Sequence, residues 1–258
     1  MLKSCLVAIA KDEDRYIDEW FQYHLKIGFD RIFVIRNNWD YVPKIVDERI
    51  VLLDDNSNDM YTQPRAYTEF LRRHCADFEW MAFWDIDEFV VLKKHINIGD
   101  FLNDYDKFYA VGLNWRLFGD NGITYDKKNN SVLKRFTKCG KSFAPEVKTI
   151  VHTKLTGEKV YKDIHHMKSP LGGMVNVMGT QFSGPFNRND FDEILNVAYL
   201  NHYRTKTREE CMEKCKRNDA GFSGVMHYVK NFDCEFVKHN LNEVQDFSAR
   251  DFIYEQQA

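Results

Sequence analysis

Residues 80–92 read WMAFWDIDEFVVL, two apolar runs separated by the acids Asp85, Asp87 and Glu88. The first run, Trp80–Trp84, is short, continuous and aromatic, which is typical of a strand buried on both faces of a sheet. In open parallel sheets, ligands bind beyond the carboxyl ends of the strands. This stretch therefore predicts both a fold class and the place of a candidate site.

The chain before this stretch alternates between strands and helices. Leu2–Ala10, Arg31–Ile35 and Arg49–Leu53 are apolar runs of strand length, whereas residues 12–28 and Thr62–Ala76 carry apolar side chains at helical spacing. This order predicts an α/β protein of Rossmann-like type, with a mostly parallel sheet and helices on both faces.

After residue 107 the predicted elements become shorter. Strands are predicted at 108–118, 131–136, 147–155 and 159–167. A helix is predicted over Thr207–Arg217, opened by a capping box between Thr207 and Glu210. No repeat or linker interrupts the chain, so residues 1–258 are predicted to form a single domain.

Composition excludes several classes of protein. The 258 residues include 36 Lys+Arg and 39 Asp+Glu, and the net charge of −3 argues against binding nucleic acid through a broad basic face. No apolar run reaches the ~18 residues of a membrane span, and Met1–Ala10 has the wrong flanks for a signal peptide.

The six cysteines are widely spaced, which predicts reduced thiols in a cytosol. Cys211 and Cys215 stand four residues apart in the predicted helix, where packing is favoured over a metal pair because no partner ligands lie nearby in sequence.

The Asp-x-Asp (DXD) spacing alone is weak evidence for a metal site. With 24 aspartates, about two such pairs are expected by chance, and the chain holds four, at 12/14, 85/87, 104/106 and 190/192. Only Asp85 and Asp87 lie between two apolar runs, where ionised acids are costly to bury unless something pairs them. Mg²⁺ or Mn²⁺ would pair them and leave positions for diphosphate oxygens. The alternative is a solvated strand end whose acids cap the next turn.

Glycine patterns for phosphate binding are missing from the sequence, which contains neither a GxGxxG fingerprint nor a P-loop. A bound phosphate would therefore have to be held in another way.

Several segments along the chain form an ordered pattern. They are Lys11–Glu13 with Tyr16–His24 and Gly28–Asp30, Gln63 before a helix, Trp80–Phe89, Asn114–Gly119 and Asn201–Thr207. In this order they resemble glycosyltransferase family 92 and the related bacterial family-2-like enzymes. The sequence departs from the family pattern at Asp12, at Thr207, at Asp120-Asn121 and over Asn37–Asp40. The resemblance implies a GT-A fold, with a nucleotide-sugar-binding half at 1–107 and an acceptor-side half with C-terminal helices at 108–258.

The resemblance also implies a metal-dependent enzyme. Asp87 would be a direct metal ligand, and Asp85 would reach the ribose or a metal-bound water with support from Glu88. His202 would complete the Mn²⁺ or Mg²⁺ shell, although a lone histidine is more often structural. Glu19 and His24 belong to the family pattern, but a structural role is favoured for both.

Donor binding is expected at three places. Lys206 and Thr207 open the capping-box helix, whose free N–H groups would bind the diphosphate; ordinary helix solvation is the alternative for Lys206. Polar residues after the first two strands could bind the base and ribose or could simply form turns. They are Lys11, Asp12, Glu13, Asn37 and Asp40.

An inverting transfer needs a general base within hydrogen-bond reach of the acceptor hydroxyl. Asp120, in the turn after the Trp-x-x-Phe-Gly segment, is the first candidate, and Glu146, His165 and Asp163 are alternatives. Trp115 is predicted either to face an acceptor sugar or to pack in the core. A retaining reaction would need no such base.

The expected function is metal-dependent transfer from a nucleotide-diphosphate sugar, with UDP-galactose the first UDP-sugar to try, to a glycan or glycolipid acceptor. The enzyme is expected to act in bacterial surface polysaccharide or lipopolysaccharide synthesis. It is expected in the cytoplasm, with at most peripheral contact with the inner face of the membrane. The alternatives are a metal-dependent sugar-nucleotide or phosphoester hydrolase and a non-catalytic sugar- or nucleotide-binding module.

Overall fold

The computed structural model describes residues 2–57, 61–125, 128–155, 160–161, 165, 167–168, 174–216 and 232–255. The strands are β1 (Leu2–Ala10), β2 (Arg31–Arg36), β3 (Ile50–Asp54), β4 (Phe78–Phe83), β5 (Glu88–Leu92), β6 (Ala110–Leu117), β7 (Lys138–Cys139), β8 (Val147–His152), β9 (Val160–Tyr161), β10 (Met167–Lys168), β11 (Met174–Asn176), β12 (Gln181–Phe182), β13 (Ala198–His202) and β14 (Val244–Gln245). The helices are α1 (Ile17–Ile27), α2 (Thr62–His74), α3 (Ile98–Asn103), α4 (Val132–Arg135), α5 (Phe191–Ile194), α6 (Arg208–Lys216), α7 (Phe232–His239) and α8 (Ser248–Tyr254).

One large sheet organises the chain, in the order β12-β11-β6-β8-β4-β1-β2-β3. Strands β1 to β4 are mutually parallel, β8 runs antiparallel between β4 and β6, and β13 pairs parallel with β6 and antiparallel with β5. The prediction of an α/β protein with a mostly parallel sheet is confirmed.

The sheet is covered on both faces because β1 is buried on both sides. Leu6 and Ala8 belong to a core cluster that includes side chains of α1, whereas Cys5 and Val7 belong to a second cluster that includes side chains of α2. Successive side chains of a strand point to opposite faces, so the two helices lie on opposite sides of the sheet. The helices predicted on both faces are therefore present.

Helix α1 begins five residues later than predicted, because residues before it form a turn. The φ of Asp12 is 53°, in the left-handed region, and Tyr16 donates its N–H to the carbonyl of Glu13. The helix ends as predicted at Gly28, whose φ of 102° favours glycine.

The strand predicted at 131–136 is wrong, because Val132–Arg135 form helix α4. Ser131 caps this helix by accepting a hydrogen bond from the N–H of Lys134, and the carboxylate of Glu19 accepts one from the N–H of Val132 at 2.6 Å. A four-residue helix has too little sequence for a periodic signal, and its second cap comes from a distant part of the chain.

Two further predictions concern the second half. Of the strand predicted at 159–167, the described parts are β9 and β10, which pair with each other in antiparallel fashion rather than forming one strand. The predicted capping box is confirmed: the hydroxyl of Thr207 accepts from the N–H of Glu210, and the Glu210 carboxylate accepts from the N–H of Thr207, both at 3.2 Å. Across the part of the chain that the structure describes, no helix is long and apolar enough to cross a membrane.

Candidate functional site

The carboxyl ends of the parallel strands bring the acids of residues 85–88 to one edge of the sheet. Asp85 and Asp87 follow β4, and Glu88 begins β5. Strand β13 pairs with β5 so that His202 lies opposite Glu88, which places Nε2 of His202 3.6 Å from Oδ1 of Asp87. Sheet pairing thus joins residues that are more than a hundred positions apart.

Asp87 is a buried carboxylate surrounded by cations. Its Oδ2 lies 2.5 Å from Nζ of Lys214 and 3.7 Å from Nζ of Lys206. Burial opposes ionisation, but the charges of Lys214 and Lys206 outweigh it and hold the pKa of Asp87 well below its usual range. Oδ1 is buried and accepts no hydrogen bond from the described residues. Asp87 is therefore an ionised carboxylate whose Oδ1 makes no hydrogen bond to the described residues.

His202 is suited to complete a metal site. Burial lowers its pKa to about 4, against the opposing charge of Asp87, so the ring is neutral near pH 7. Trp115 lies against it, with ring centroids 4.2 Å apart. A neutral imidazole beside a buried carboxylate is a donor set that Mn²⁺ accepts more readily than Mg²⁺ does, so Asp87 and His202 fit the predicted Mn²⁺.

Asp85 faces a different set of partners. Its Oδ1 accepts a hydrogen bond from Nε2 of Gln63 at 2.8 Å, and its Oδ2 accepts one from Nζ of Lys148 at 2.8 Å. Burial raises the pKa of Asp85, but the charge of Lys148 lowers it by more than burial raises it, so the pKa lies below its usual value. Both carboxylate oxygens of Asp85 already accept hydrogen bonds. Asp85 therefore lies next to Asp87 and His202 without forming a three-residue ligand cluster with them.

Lys148 is fully buried in β8 and also lies 3.7 Å from Oε2 of Glu88. Glu88 itself accepts the N–H of Asp85 at 2.8 Å, and burial raises its pKa well above the usual range. Sequence reasoning missed Lys148, although a lysine within the strand predicted at 147–155 was a usable signal. Sequence reasoning also missed Lys214, because nothing in the sequence distinguishes it from the other lysines of the predicted helix.

The start of α6 is held by a buried ionic network. Nη2 of Arg135 lies 3.1 Å from Oε2 of Glu210, and Nη1 of Arg15 lies 2.9 Å from Oε1 of the same carboxylate. The N–H of Thr207 is taken by this capping carboxylate. Lys206 has a left-handed φ of 50°, and its ammonium lies 3.7 Å from Oδ2 of Asp87.

The predicted base- and ribose-binding residues lie at the same edge of the sheet, after β1 and β2. Lys11, Asp12 and Glu13 form the turn before α1, and Asp40 is exposed. The amide of Asn37 donates to the carbonyls of residues 55 and 57, at 2.9 and 2.8 Å, which favours its turn-forming alternative.

An aromatic pair that sequence reasoning missed stands beside these residues. Trp39 stacks on Tyr41 with centroids 5.3 Å apart and planes within 6°, and its indole donates to Asp14 at 3.1 Å.

The structure separates the general-base candidates. Oδ1 of Asp120 accepts from the N–H of Gly122 at 2.9 Å and from Nδ2 of Asn242 at 3.2 Å, and no described contact joins Asp120 to Asp87. The carbonyl of Glu146, by contrast, accepts the N–H of Trp115 at 3.0 Å.

The imidazole of His165 also lies beside Trp115, edge-on with ring centroids 5.1 Å apart. Asp163 falls outside the described residues. Glu146 and His165 are thus adjacent to the tryptophan that touches His202.

Two other groups of possible ligands lie away from this edge. Glu79, Asp106 and His152 have ligand atoms within 4.8 Å of one another near the amino end of β4, the one such trio found in the described parts of the chain. Nζ of Lys3 lies 3.3 Å from Glu79 and 3.4 Å from Asp106, so one lysine already forms an ion pair with both carboxylates.

The cysteine pair of α6 packs in a small apolar cluster. Cys211 is buried with Phe232 and Phe236, and Cys215 lies against them. This arrangement agrees with the predicted helix packing.

A sequence model of glycosyltransferase family 92 matches residues 2–244. A glycosyltransferase family 92 protein of Ricinus communis is 23% identical over 228 residues, covering 84% of this chain and 38% of its own length. One of Arabidopsis thaliana is 23% identical over 238 residues, with the same two coverages. The chain thus spans about two fifths of the length of these relatives.

Solved structures give more distant matches. An active-site mutant of LgtC is 12% identical, with 89% of this chain and 95% of that chain covered and a TM-score of 0.42. A putative nucleotide-diphospho-sugar transferase from Desulfovibrio desulfuricans is 8% identical, with coverages of 66% and 72% and a TM-score of 0.34.

Proposed function

Because the chain belongs to glycosyltransferase family 92, we propose that it transfers a sugar from a nucleotide-diphosphate sugar to a glycan or glycolipid acceptor with the help of a divalent cation. The observation that carries this proposal is the environment of Asp87. A buried, ionised carboxylate with an unpartnered oxygen faces a neutral histidine and two lysines at the carboxyl edge of a mostly parallel sheet. That combination suits a cation and an anionic diphosphate together.

Asp87 and His202 would hold the cation, Mn²⁺ or Mg²⁺. When bound, such an ion stabilises the negative charge of the departing diphosphate. Asp85, fixed by Gln63 and Lys148, would contact the donor ribose or a water in the same shell.

Lys206 and Lys214 would bind the diphosphate. Both ammonium groups lie within 4 Å of Asp87, so a diphosphate bound beside a cation on Asp87 would be close to them as negative charge develops on it. Positive groups that already contact the bound diphosphate lower the barrier because they need little reorganisation during the reaction itself. The lysines would thus do the work that a P-loop does in other phosphate sites.

We propose an inverting reaction, in which a carboxylate takes the proton of the acceptor hydroxyl. Asp120 is the first candidate from the sequence, but we favour Glu146, because its backbone carbonyl accepts the N–H of Trp115, which lies against His202. Trp115 is 8% exposed and lies against His202, so it would contribute an edge of the acceptor pocket rather than an open platform.

For the donor we propose a UDP-sugar, with UDP-galactose as the first to test, on the family resemblance. We further propose a role in bacterial surface polysaccharide or lipopolysaccharide synthesis, in the cytoplasm or peripherally at the inner membrane face. The six cysteines are widely spaced in the sequence, which favours reduced thiols and supports a reducing compartment. Cell fractionation that recovered only periplasmic protein would contradict this placement.

Thermal-shift measurements with UDP and with UDP-sugars, in Mn²⁺ or in chelator, test donor binding. A ligand that binds the folded state raises the melting temperature by mass action, and we expect the increase only with the metal present. No metal-dependent shift with any nucleotide would contradict the proposal.

Turnover is tested with Asp87→Asn, which should lower the rate by at least about 100-fold, the loss typical of removing one electrostatic group from a reaction centre. Asp192→Asn is the matched control, an exposed member of another Asp-x-Asp pair, and should leave the rate unchanged. Full-rate release of UDP with water as sole acceptor would indicate a hydrolase. Nucleotide binding without any turnover would indicate a binding module.

A further inference from the structure

Lys214 reaches from α6 into the buried site. Its side chain is 25% exposed, whereas that of Asp87 is 3% exposed, and the two are joined by the 2.5 Å contact between Nζ and Oδ2. Lys206 approaches the same oxygen at 3.7 Å. The carboxylate predicted to bind a divalent cation is therefore already paired with a cation of the protein itself.

Two cations on one carboxylate repel each other. Repulsion between charges about 4 Å apart is strong in a partly buried environment, so an ion bound at Asp87 disfavours the nearby ammonium. A lysine can move, because its charge sits on a flexible four-carbon stem with three rotatable donors. Lys206 is more confined, with 6% of its side chain exposed and its ammonium also 5.1 Å from the ring of Tyr16.

We propose that Lys214 exchanges partners during donor binding. It neutralises Asp87 in the empty site and turns to the donor diphosphate when a divalent cation occupies Asp87. This inference rests on the proposed function and assigns Lys214 as a diphosphate-binding residue that also competes with the metal. It follows that metal and nucleotide bind with positive coupling, and linkage makes that coupling equal in both directions.

Calorimetric titration of Mn²⁺ alone into the nucleotide-free protein tests the competition. Lys214→Met should bind Mn²⁺ about tenfold more tightly than the wild type, in the range measured for close charge pairs. Lys216→Met removes an exposed lysine of the same helix and should leave the Mn²⁺ affinity unchanged. Lys214→Arg keeps the charge and should stay near the wild-type value.

Titration of UDP at saturating Mn²⁺ tests the exchange itself. Lys214→Met should bind UDP about tenfold more weakly than the wild type, because the diphosphate loses one ammonium. The opposite signs of the two effects are the signature, since a lysine that merely stabilised the helix would change both affinities in the same direction or neither. If Lys214→Met fails to fold, Lys214→Gln replaces it, because glutamine keeps a polar side chain on the helix. The same changes in Mn²⁺ and UDP affinity are expected of that variant.

The outcomes separate this inference from the proposed function. Wild-type protein that binds Mn²⁺ and UDP, together with a Lys214→Met variant of equal or weaker Mn²⁺ affinity, overturns the exchange and leaves the transferase proposal standing. Wild-type protein that binds neither ligand overturns both.

Discussion

Replacing Lys148 with Met tests whether the acids of the site depend on a buried cation. Nζ of Lys148 has no exposed area and lies 2.8 Å from Asp85 and 3.7 Å from Glu88. Methionine has a similar length and no charge, so Lys148→Met leaves the two carboxyl groups in place without their counter-charge.

The expected cost follows from the burial of the partners. Breaking a buried ion pair by removing one member costs about 3–5 kcal/mol. The side chain of Asp85 is 29% exposed, so water relieves part of the penalty, and we expect about 3 kcal/mol, at the lower end of the range. For a chain of this size that corresponds to a melting temperature lower by roughly 6–12 °C. Turnover should also fall, because Asp85 loses the contact that orients it.

Urea unfolding of a double-mutant cycle measures the pair directly. The variants are Lys148→Met, Asp85→Asn and their combination, with the exposed Lys107→Met as control. The double variant should be more stable than the sum of the single effects by about 1.5 kcal/mol or more, because it leaves no uncompensated Asp85 charge. A cost below about 1 kcal/mol for Lys148→Met, or additivity within about 0.5 kcal/mol, would refute this account of the site.

Three further predictions separate stability from chemistry. Glu19→Gln should lower the free energy of unfolding by about 2–3 kcal/mol in urea and leave UDP binding unchanged, because its carboxylate caps Val132 from a distance and touches no residue of the site. Equal loss of UDP binding would contradict that structural role. Burial lowers the pKa of His24 to about 3, whereas the unfolded chain protonates it near pH 6.5, so its contribution to stability is lost progressively as the pH falls from 6.5 towards 3. Between pH 7.5 and 5.5 the wild type should lose about 1.4 kcal/mol more than His24→Met in urea unfolding, and parallel losses would count against a buried neutral ring. In a transfer assay, Glu146→Gln should lower kcat by about 100-fold and Asp120→Asn should lower it by less than about threefold. The reverse order would indicate that Asp120 is the general base.

The first half of the fold was predictable because its signals are local. Strands β1, β2 and β4 each contain a continuous apolar run, and runs of that kind are typical of strands covered on both faces. Helix α4 was not predictable, because four residues carry no period and the capping Glu19 lies more than a hundred residues away. Its stability comes from tertiary contacts that no local pattern contains.

The site was predictable only in part, for a similar reason. Asp87 stood out by its apolar flanks, but the approach of His202 depends on the pairing of β13 with β5, which no local signal indicates. Lys214 and Lys216 are both lysines near the end of one helix, and the sequence does not distinguish the one that reaches Asp87 from the one that is exposed.

The charges at this edge of the sheet bear on the order in which ligands bind. Three acids and three lysines meet there, namely Asp85, Asp87, Glu88, Lys148, Lys206 and Lys214. Because burial raises the pKa of Glu88, that group carries less negative charge than its neighbours, and the cluster is left with a positive excess although the whole chain is at −3. A divalent cation that binds alone would increase the positive charge of this buried cluster. A cation that binds together with a diphosphate would not, because the diphosphate is negatively charged. We therefore expect Mn²⁺ to bind the free protein weakly and UDP to tighten it by about tenfold or more, and equal Mn²⁺ affinities with and without UDP in calorimetry would show that the charge of the cluster does not govern binding.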